Sequence, residues 1–172
     1  LITRDATKLA VGQVAYTTWC DEHGKVIDDG TVSRLGEERY RWTAVDPNLR
    51  WFQENARGLD VTIRDVSEQV GALALQGPTS ADVLRQVADI DVDALNYFRV
   101  TSGAIRGVQV DVSRTGFTGD LGYEIWMRWR DAVKVWDALV DGGQDYGLRP
   151  AGMLALDVVR IEAGLLLADV DF

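Results

Sequence analysis

Along the first 45 residues, apolar and polar positions alternate in short runs separated by turn signals, a pattern that predicts strands rather than helices. The run 2–11 alternates loosely and stops at Gly12, whereas 14–20 is rich in Val, Tyr, Thr and Trp, side chains that suit a pleated surface. Asp21-Glu22-His23-Gly24 reads as a turn, after which 25–35 and 39–45 read as two more strands joined at Gly36-Glu37-Glu38. Three strands linked by tight turns predict an antiparallel meander. Asp46-Pro47 breaks it. Pro47 suits a first helical turn, and Leu49, Trp51, Phe52 and Ala56 trace a short amphipathic helix ending at Gly58.

Beyond it, 60–66 alternates as a strand, and 70–75 is a more continuously apolar one. Gly77-Pro78-Thr79-Ser80 opens a helix over 79–88, with Thr79 and Asp82 spaced as a capping box and Val83, Leu84, Val87 and Ala88 as its apolar stripe. The acidic stretch 89–95 reads as a loop or short helix. Segments 99–105 and 108–114 form a hairpin turning at Arg106-Gly107, and 123–129 is a further strand. A helix over 131–140 turns Ala132, Val135, Trp136 and Leu139 inward and ends at Gly142-Gly143. A last helix after Arg149-Pro150 aligns Leu154, Val158 and Ile161 before Gly164. Without strict βαβ order, the class is α+β, with antiparallel sheets covered by helices. Core packing accounts for most of the six tryptophans.

Composition narrows the chemistry. A net charge of −9, from 27 acids against 18 bases, speaks against a nucleic-acid partner, since that backbone needs cations to neutralise it. No apolar run approaches the ~20 residues that cross a bilayer, so no membrane association is expected. Cys20 is the single cysteine, which leaves no internal disulfide or thiolate cage and points to the cytoplasm, or to the mitochondrial matrix in a eukaryote. His23 is the single histidine, so acid–base chemistry falls to carboxylates, Tyr, Lys or Arg unless it is built on that residue. The chain opens at Leu1 without an initiator Met and closes at Phe172 soon after the apolar run 165–167, and it reads as an internal piece of a longer protein.

Two acidic positions stand out. Asp28 and Asp29 are neighbours in a predicted strand, so their side chains point to opposite faces, with Asp29 on the face of Ile27 and Thr31. The pair either marks an edge or bulge with both acids in water, or places one carboxylate in a cleft. The second position lies in Ser113-Arg114-Thr115-Gly116-Phe117-Thr118-Gly119-Asp120-Leu121-Gly122-Tyr123-Glu124-Ile125-Trp126, where three glycines recur every third residue between two strands. Glycine admits positive φ and close approach. This is either a hairpin loop followed by an exposed Glu124, or a turn that sets Glu124 into a pocket. It is not a nucleotide loop, because a strand rather than a helix follows. Trp126 shares a face with Glu124 and is placed to flank a flat ligand.

Four segments together resemble the aminomethyltransferase family, whose best-known member is the glycine cleavage T-protein. They are Tyr16 with Asp21-Glu22-His23-Gly24-Lys25-Val26-Ile27-Asp28-Asp29, then Ala72-Leu73-Ala74-Leu75-Gln76-Gly77-Pro78, then 113–125, and finally Leu156-Asp157-Val158-Val159-Arg160-Ile161-Glu162-Ala163-Gly164. Each alone is weak, but four in register along nearly the whole chain are specific.

The resemblance implies a tetrahydrofolate-binding fold of two interleaved α+β domains followed by a C-terminal β-barrel, with the barrel missing from this chain. On that reading 1–76 is a first module carrying the Asp-Asp hairpin, 77–165 a second carrying the glycine-rich turn, and 166–172 a connector. The implied activity is one-carbon transfer to tetrahydrofolate, with Asp29 catalytic and Tyr16, Thr31, Thr43, Phe117, Glu124 and Trp126 contacting the cofactor. The carboxyl groups of Asp29 and Glu124 are expected to converge on one pterin-sized hollow. The donor is a small molecule or a carrier-bound group, a lipoyl carrier protein among the candidates.

Two departures from the family pattern bear on the donor. Phe117 stands where Tyr is common, and Leu156 stands where T-proteins often carry Arg. The second puts an aminomethyl-lipoyl donor in question and is compatible with folate-dependent demethylases or the folate domain of dimethylglycine- and sarcosine-type oxidoreductases. A non-catalytic folate-binding factor of iron–sulfur-cluster assembly is the alternative of another class.

Overall fold

The computed structural model describes residues 1–46, 48–168 and 170–171. The expected helix start at Pro47 and the terminal Phe172 therefore lie outside the described residues. The chain forms two compact units, residues 1–66 and 67–172.

In the first unit β1 (Val14–Cys20), β2 (Val26–Gly36) and β3 (Arg39–Ala44) form an antiparallel sheet in the order β1-β2-β3. Strand β2 is central, not an edge. Its pairing places Ala15, Trp19, Val32 and Trp42 on one face and Val14, Tyr16, Thr31 and Thr43 on the other. The first face packs against α1 (Leu49–Asn55) through Phe52, whose ring lies 5.4 Å from Trp19 and 4.3 Å from Trp42. Burying three aromatic rings against one another supplies the main apolar driving force of this small unit. The stretch 2–11 is not a strand; a 3-10 turn at Ala6–Lys8 seats Leu9 against Ala15 and Val32.

The expected strand over 60–66 is absent: these residues pair with no strand among the described residues and are largely exposed. Alternation is a local signal, whereas a strand needs a partner edge.

In the second unit β4 (Val70–Gln76), β5 (Ala88–Asp89), β6 (Val100–Ile105), β7 (Val108–Ser113) and β8 (Gly122–Arg128) form one antiparallel sheet in the order β4-β8-β7-β6-β5. Strand β4, expected in the first module, pairs with β8 from Val70↔Arg128 to Gln76↔Gly122, so the first unit ends at Val66. The β6–β7 hairpin turns at Arg106 and Gly107, both at positive φ as a tight two-residue turn requires.

One face of this sheet, carrying Leu75, Val110, Val112, Tyr123, Ile125 and Met127, is covered by α2 (Ser80–Val87) and α3 (Ala132–Gly143). Helix α3 continues through Gly142 and Gly143 rather than ending before them. The capping box at Thr79 does not form. Asp82 instead pairs with Arg85 at 2.5 Å, and the Thr79 hydroxyl reaches the Tyr146 carbonyl.

Two apolar expectations fail. In α4 (Met153–Glu162) Leu154, Val158 and Ile161 stand exposed, and the residue this helix buries is Arg160. Trp129 and Trp136 are likewise exposed, unlike the fully buried Trp19.

Candidate functional site

Adjacent strand positions send Asp28 and Asp29 to opposite faces of the first sheet, and both are buried. The expectation that both acids are solvated is overturned, since both are buried, although they do sit past the end of the β2–β3 ladder at Gly30 and beside a register shift between Trp19 and Cys20. Asp29 lies on the face of Tyr16, Thr31 and Thr43. Thr18 is its cross-strand partner, while Tyr16 pairs with Thr31 and Thr31 with Thr43. The Tyr16 hydroxyl donates to Asp29 Oδ2 at 2.6 Å. Burial first, and then the hydrogen bond and charge of Asp29, push the Tyr16 phenol up to about 12. It is a permanent donor near neutral pH. The Thr31 and Thr43 hydroxyls lie 2.5 Å apart, a polar pair beside the carboxylate. Gly30 permits this local geometry: a Cβ there would stand 1.9 Å from the Thr43 carbonyl oxygen.

In the second unit Tyr123, Ile125 and Met127 enter the core, so Glu124 and Trp126 occupy the opposite face of β8. Glu124 is half-buried, not exposed. Its Oε2 accepts a short hydrogen bond from Thr115 Oγ1, and Thr115 in turn lies 2.8 Å from Ser113 Oγ. Both hydroxyl residues are buried, so the carboxylate is held by a fixed donor rather than by water. Across the strand pair, Ala74 faces Glu124 and Ala72 faces Trp126. These alanines are exposed and small, which leaves low ground beside the carboxylate and the indole.

Two glycines of the turn, Gly116 and Gly122, make room for Gln76. A Cβ on Gly116 or Gly122 would stand 2.0 or 1.9 Å from the Gln76 amide oxygen. That amide donates to the Tyr123 carbonyl at 3.2 Å and accepts from the Thr118 hydroxyl at 3.1 Å. Gly119, at φ 74°, runs against Ala163 just past α4. The turn is therefore clamped from inside. Phe117 sits half-buried within it.

Within each unit the structure gathers the residues the sequence singled out: Tyr16, Asp29, Thr31 and Thr43 in one, and Glu124 and Trp126 in the other. Sequence reasoning missed Gln76, Ser113 and Thr115 as the groups that hold the turn and Glu124. The alternation that put Glu124 opposite the core carries the signal for Ser113, its cross-strand neighbour.

The family model described as GCVT N-terminal domain matches residues 1–172. The chain is 43% identical to the trimethylamine-oxide aldolase of Ruegeria pomeroyi, covering 100% of this chain and 23% of that protein. It is 40% identical to the aminomethyltransferase of Bacillus subtilis, covering 96% of this chain and 47% of that one. The crystal structure of glycine cleavage system aminomethyltransferase T from Bartonella henselae superposes with a TM-score of 0.84 at 27% identity, over 96% of this chain and 45% of that one. The chain thus spans about half the length of the aminomethyltransferases it matches and about a quarter of the aldolase.

Proposed function

Because the chain belongs to the family of the GCVT N-terminal domain, we propose that it handles tetrahydrofolate in the transfer of a one-carbon group from an amine donor. The observation that carries this reading is the Tyr16–Asp29 pair, a buried carboxylate fixed on its strand by a phenol that stays protonated. Tetrahydrofolate, when bound, supplies the amine nitrogens that accept the carbon. Asp29 stabilises the positive charge that develops on nitrogen and takes or returns a proton at its carboxyl oxygens. Tyr16 holds Oδ2, which fixes the direction in which the carboxylate faces its substrate.

The other residues bind and orient. Glu124, steadied by Thr115, accepts hydrogen bonds from the N–H groups of the reduced pterin. Trp126 offers a flat apolar surface beside the low ground of Ala72 and Ala74, Phe117 adds an apolar wall, and the Thr31–Thr43 hydroxyls offer polar contacts. No protein nucleophile is needed, so rate enhancement comes from positioning and electrostatics.

Two donors follow from the relatives. An aminomethyl group on a lipoyl carrier is the donor for a glycine cleavage role. The 43% identity to a trimethylamine-oxide aldolase, together with Leu156 in place of Arg, favours a methylated-amine donor instead.

The test compares variants of the whole protein by tetrahydrofolate titration and by turnover with both donors. Asp29→Asn keeps tetrahydrofolate affinity and loses most turnover, and full activity in that variant removes Asp29 from catalysis. Glu124→Ala weakens tetrahydrofolate binding, and an unchanged affinity removes Glu124 from the site.

A further inference from the structure

We infer that Asp28, acting with Asn48, is a positioning residue that sets the backbone of Asp29; the assignment rests on the catalytic role proposed above for Asp29. The β2–β3 ladder ends at Gly30↔Ala44, one residue short of Asp29. Past that point the chain leaves the sheet toward α1, and the carboxylate of Asp28 takes over from the ladder. Asp28 Oδ1 accepts from the Asp29 backbone N–H at 2.7 Å. Its Oδ2 accepts from Asn48 Nδ2 at 2.6 Å and from the Asp46 backbone N–H at 3.4 Å. One buried side chain therefore joins Asp29 to the segment that enters the helix.

The chemistry asks for a carboxylate at this place. Three donors converge on two oxygens, and only a group that accepts at both ends meets all of them. An asparagine would turn an NH2 toward at least one N–H. Burying a charge is costly, and here the hydrogen bonds to the ionised form offset that cost.

Asn48 shows the same commitment from the other side. It occupies the N-cap of α1, yet makes no side-chain cap bond there. Its amide donates to Asp28 instead, and to the Asp46 carbonyl at 3.1 Å.

Asp29 is thus held through both neighbours. Asp28 fixes its N–H, and at Gly30 the missing side chain lets β3 approach, since a Cβ there would meet the Thr43 carbonyl. With the backbone fixed, the Asp29 side chain meets the Tyr16 hydroxyl and faces away from the aromatic cluster. Small displacements of a reacting group cost rate before they cost affinity. The signature of positioning is therefore a fall in kcat without a matching rise in KM.

The experiment uses the full-length protein with tetrahydrofolate, and aminomethylated lipoyl carrier or trimethylamine oxide as donor. Asp28→Asn, Asn48→Ala, the exchanged pair Asp28→Asn/Asn48→Asp, and Asp29→Asn are compared with wild type. Asp28→Asn is expected to lower kcat by about tenfold, with KM for tetrahydrofolate within about twofold of wild type. Asn48→Ala, which leaves two of the three bonds, is expected to lower kcat by about threefold. The exchanged pair restores the bond between positions 28 and 48 with donor and acceptor reversed, and so turns the amide oxygen at 28 toward the Asp29 N–H. It leaves the Asp46 N–H and carbonyl unmatched, and it is expected to recover part of the lost kcat.

Wild-type kcat in Asp28→Asn and Asn48→Ala, alongside an inactive Asp29→Asn, overturns the positioning role and leaves the role of Asp29 standing. A kcat in the exchanged pair no higher than in Asp28→Asn also overturns it, since the loss then follows the charge at position 28 rather than the bond to position 48. If Asp28→Asn does not fold, Asn48→Ala decides by the same criterion. Full activity in Asp29→Asn overturns the catalytic reading itself, and this inference with it.

Discussion

Tyr16 Oη stands 2.6 Å from Asp29 Oδ2, joining two residues thirteen apart in sequence across the first pair of strands. The bond restrains a buried carboxylate. Replacing Tyr16 with Phe removes the donor and leaves the ring. Such a net loss of about 0.5–1.5 kcal/mol corresponds to a fall in turnover of roughly two- to twelvefold. Steady-state kinetics with tetrahydrofolate check this, and unchanged turnover in Tyr16→Phe argues against any catalytic use of the pair.

The same bond has a consequence in alkali. The Tyr16 phenol sits above its ordinary 10.0, at about 12, through burial and then through Asp29. A pKa raised in the folded state means that stability is fully present below pH 10 and is lost as pH rises from 10 to 12. Urea unfolding across that window is expected to show a steeper loss in wild type than in Tyr16→Phe. Parallel slopes count against the assignment.

Glu124 depends on Thr115. Thr115→Val keeps the shape of the side chain but removes the hydroxyl that donates to Oε2. Tetrahydrofolate affinity is expected to fall by about five- to tenfold, near 1 kcal/mol, while the melting temperature shifts by only a few degrees. Calorimetric titration reads the affinity; no change there means that Glu124 does not need the bond.

Gly122→Ala drives a methyl group into the Gln76 amide, which is tied to the Tyr123 carbonyl and the Thr118 hydroxyl. Overpacking of this kind costs about 1–3 kcal/mol. Truncating Gln76 to Ala clears the space, so the double variant is expected to lose less than the two single variants summed. Additive losses in urea denaturation would show that the glycine serves some other need.

Local chemistry made much of this legible. The Val, Tyr, Thr and Trp content of 14–20 gave β1 with its observed ends, and Arg106-Gly107 marked the turn of the β6–β7 hairpin. The period of two placed Asp28 and Asp29 on opposite faces and Glu124 with Trp126 on one. What misled was also local. The alternation of 60–66 has no partner strand among the described residues, the Thr79–Asp82 spacing yields to the pull of Arg85, and the stripe of α4 stands exposed.

Taken alone, the order of residues determined the class of fold, the family likeness and the acids worth watching, because strand period, turn chemistry and motif spacing are properties of neighbours in sequence. Tertiary structure decided what holds those acids. Asn48 reaches Asp28 from twenty residues away, and Gln76 reaches Tyr123 from forty-seven. Bonds of that span depend on how strands and helices pack, and a short window of sequence does not contain the packing.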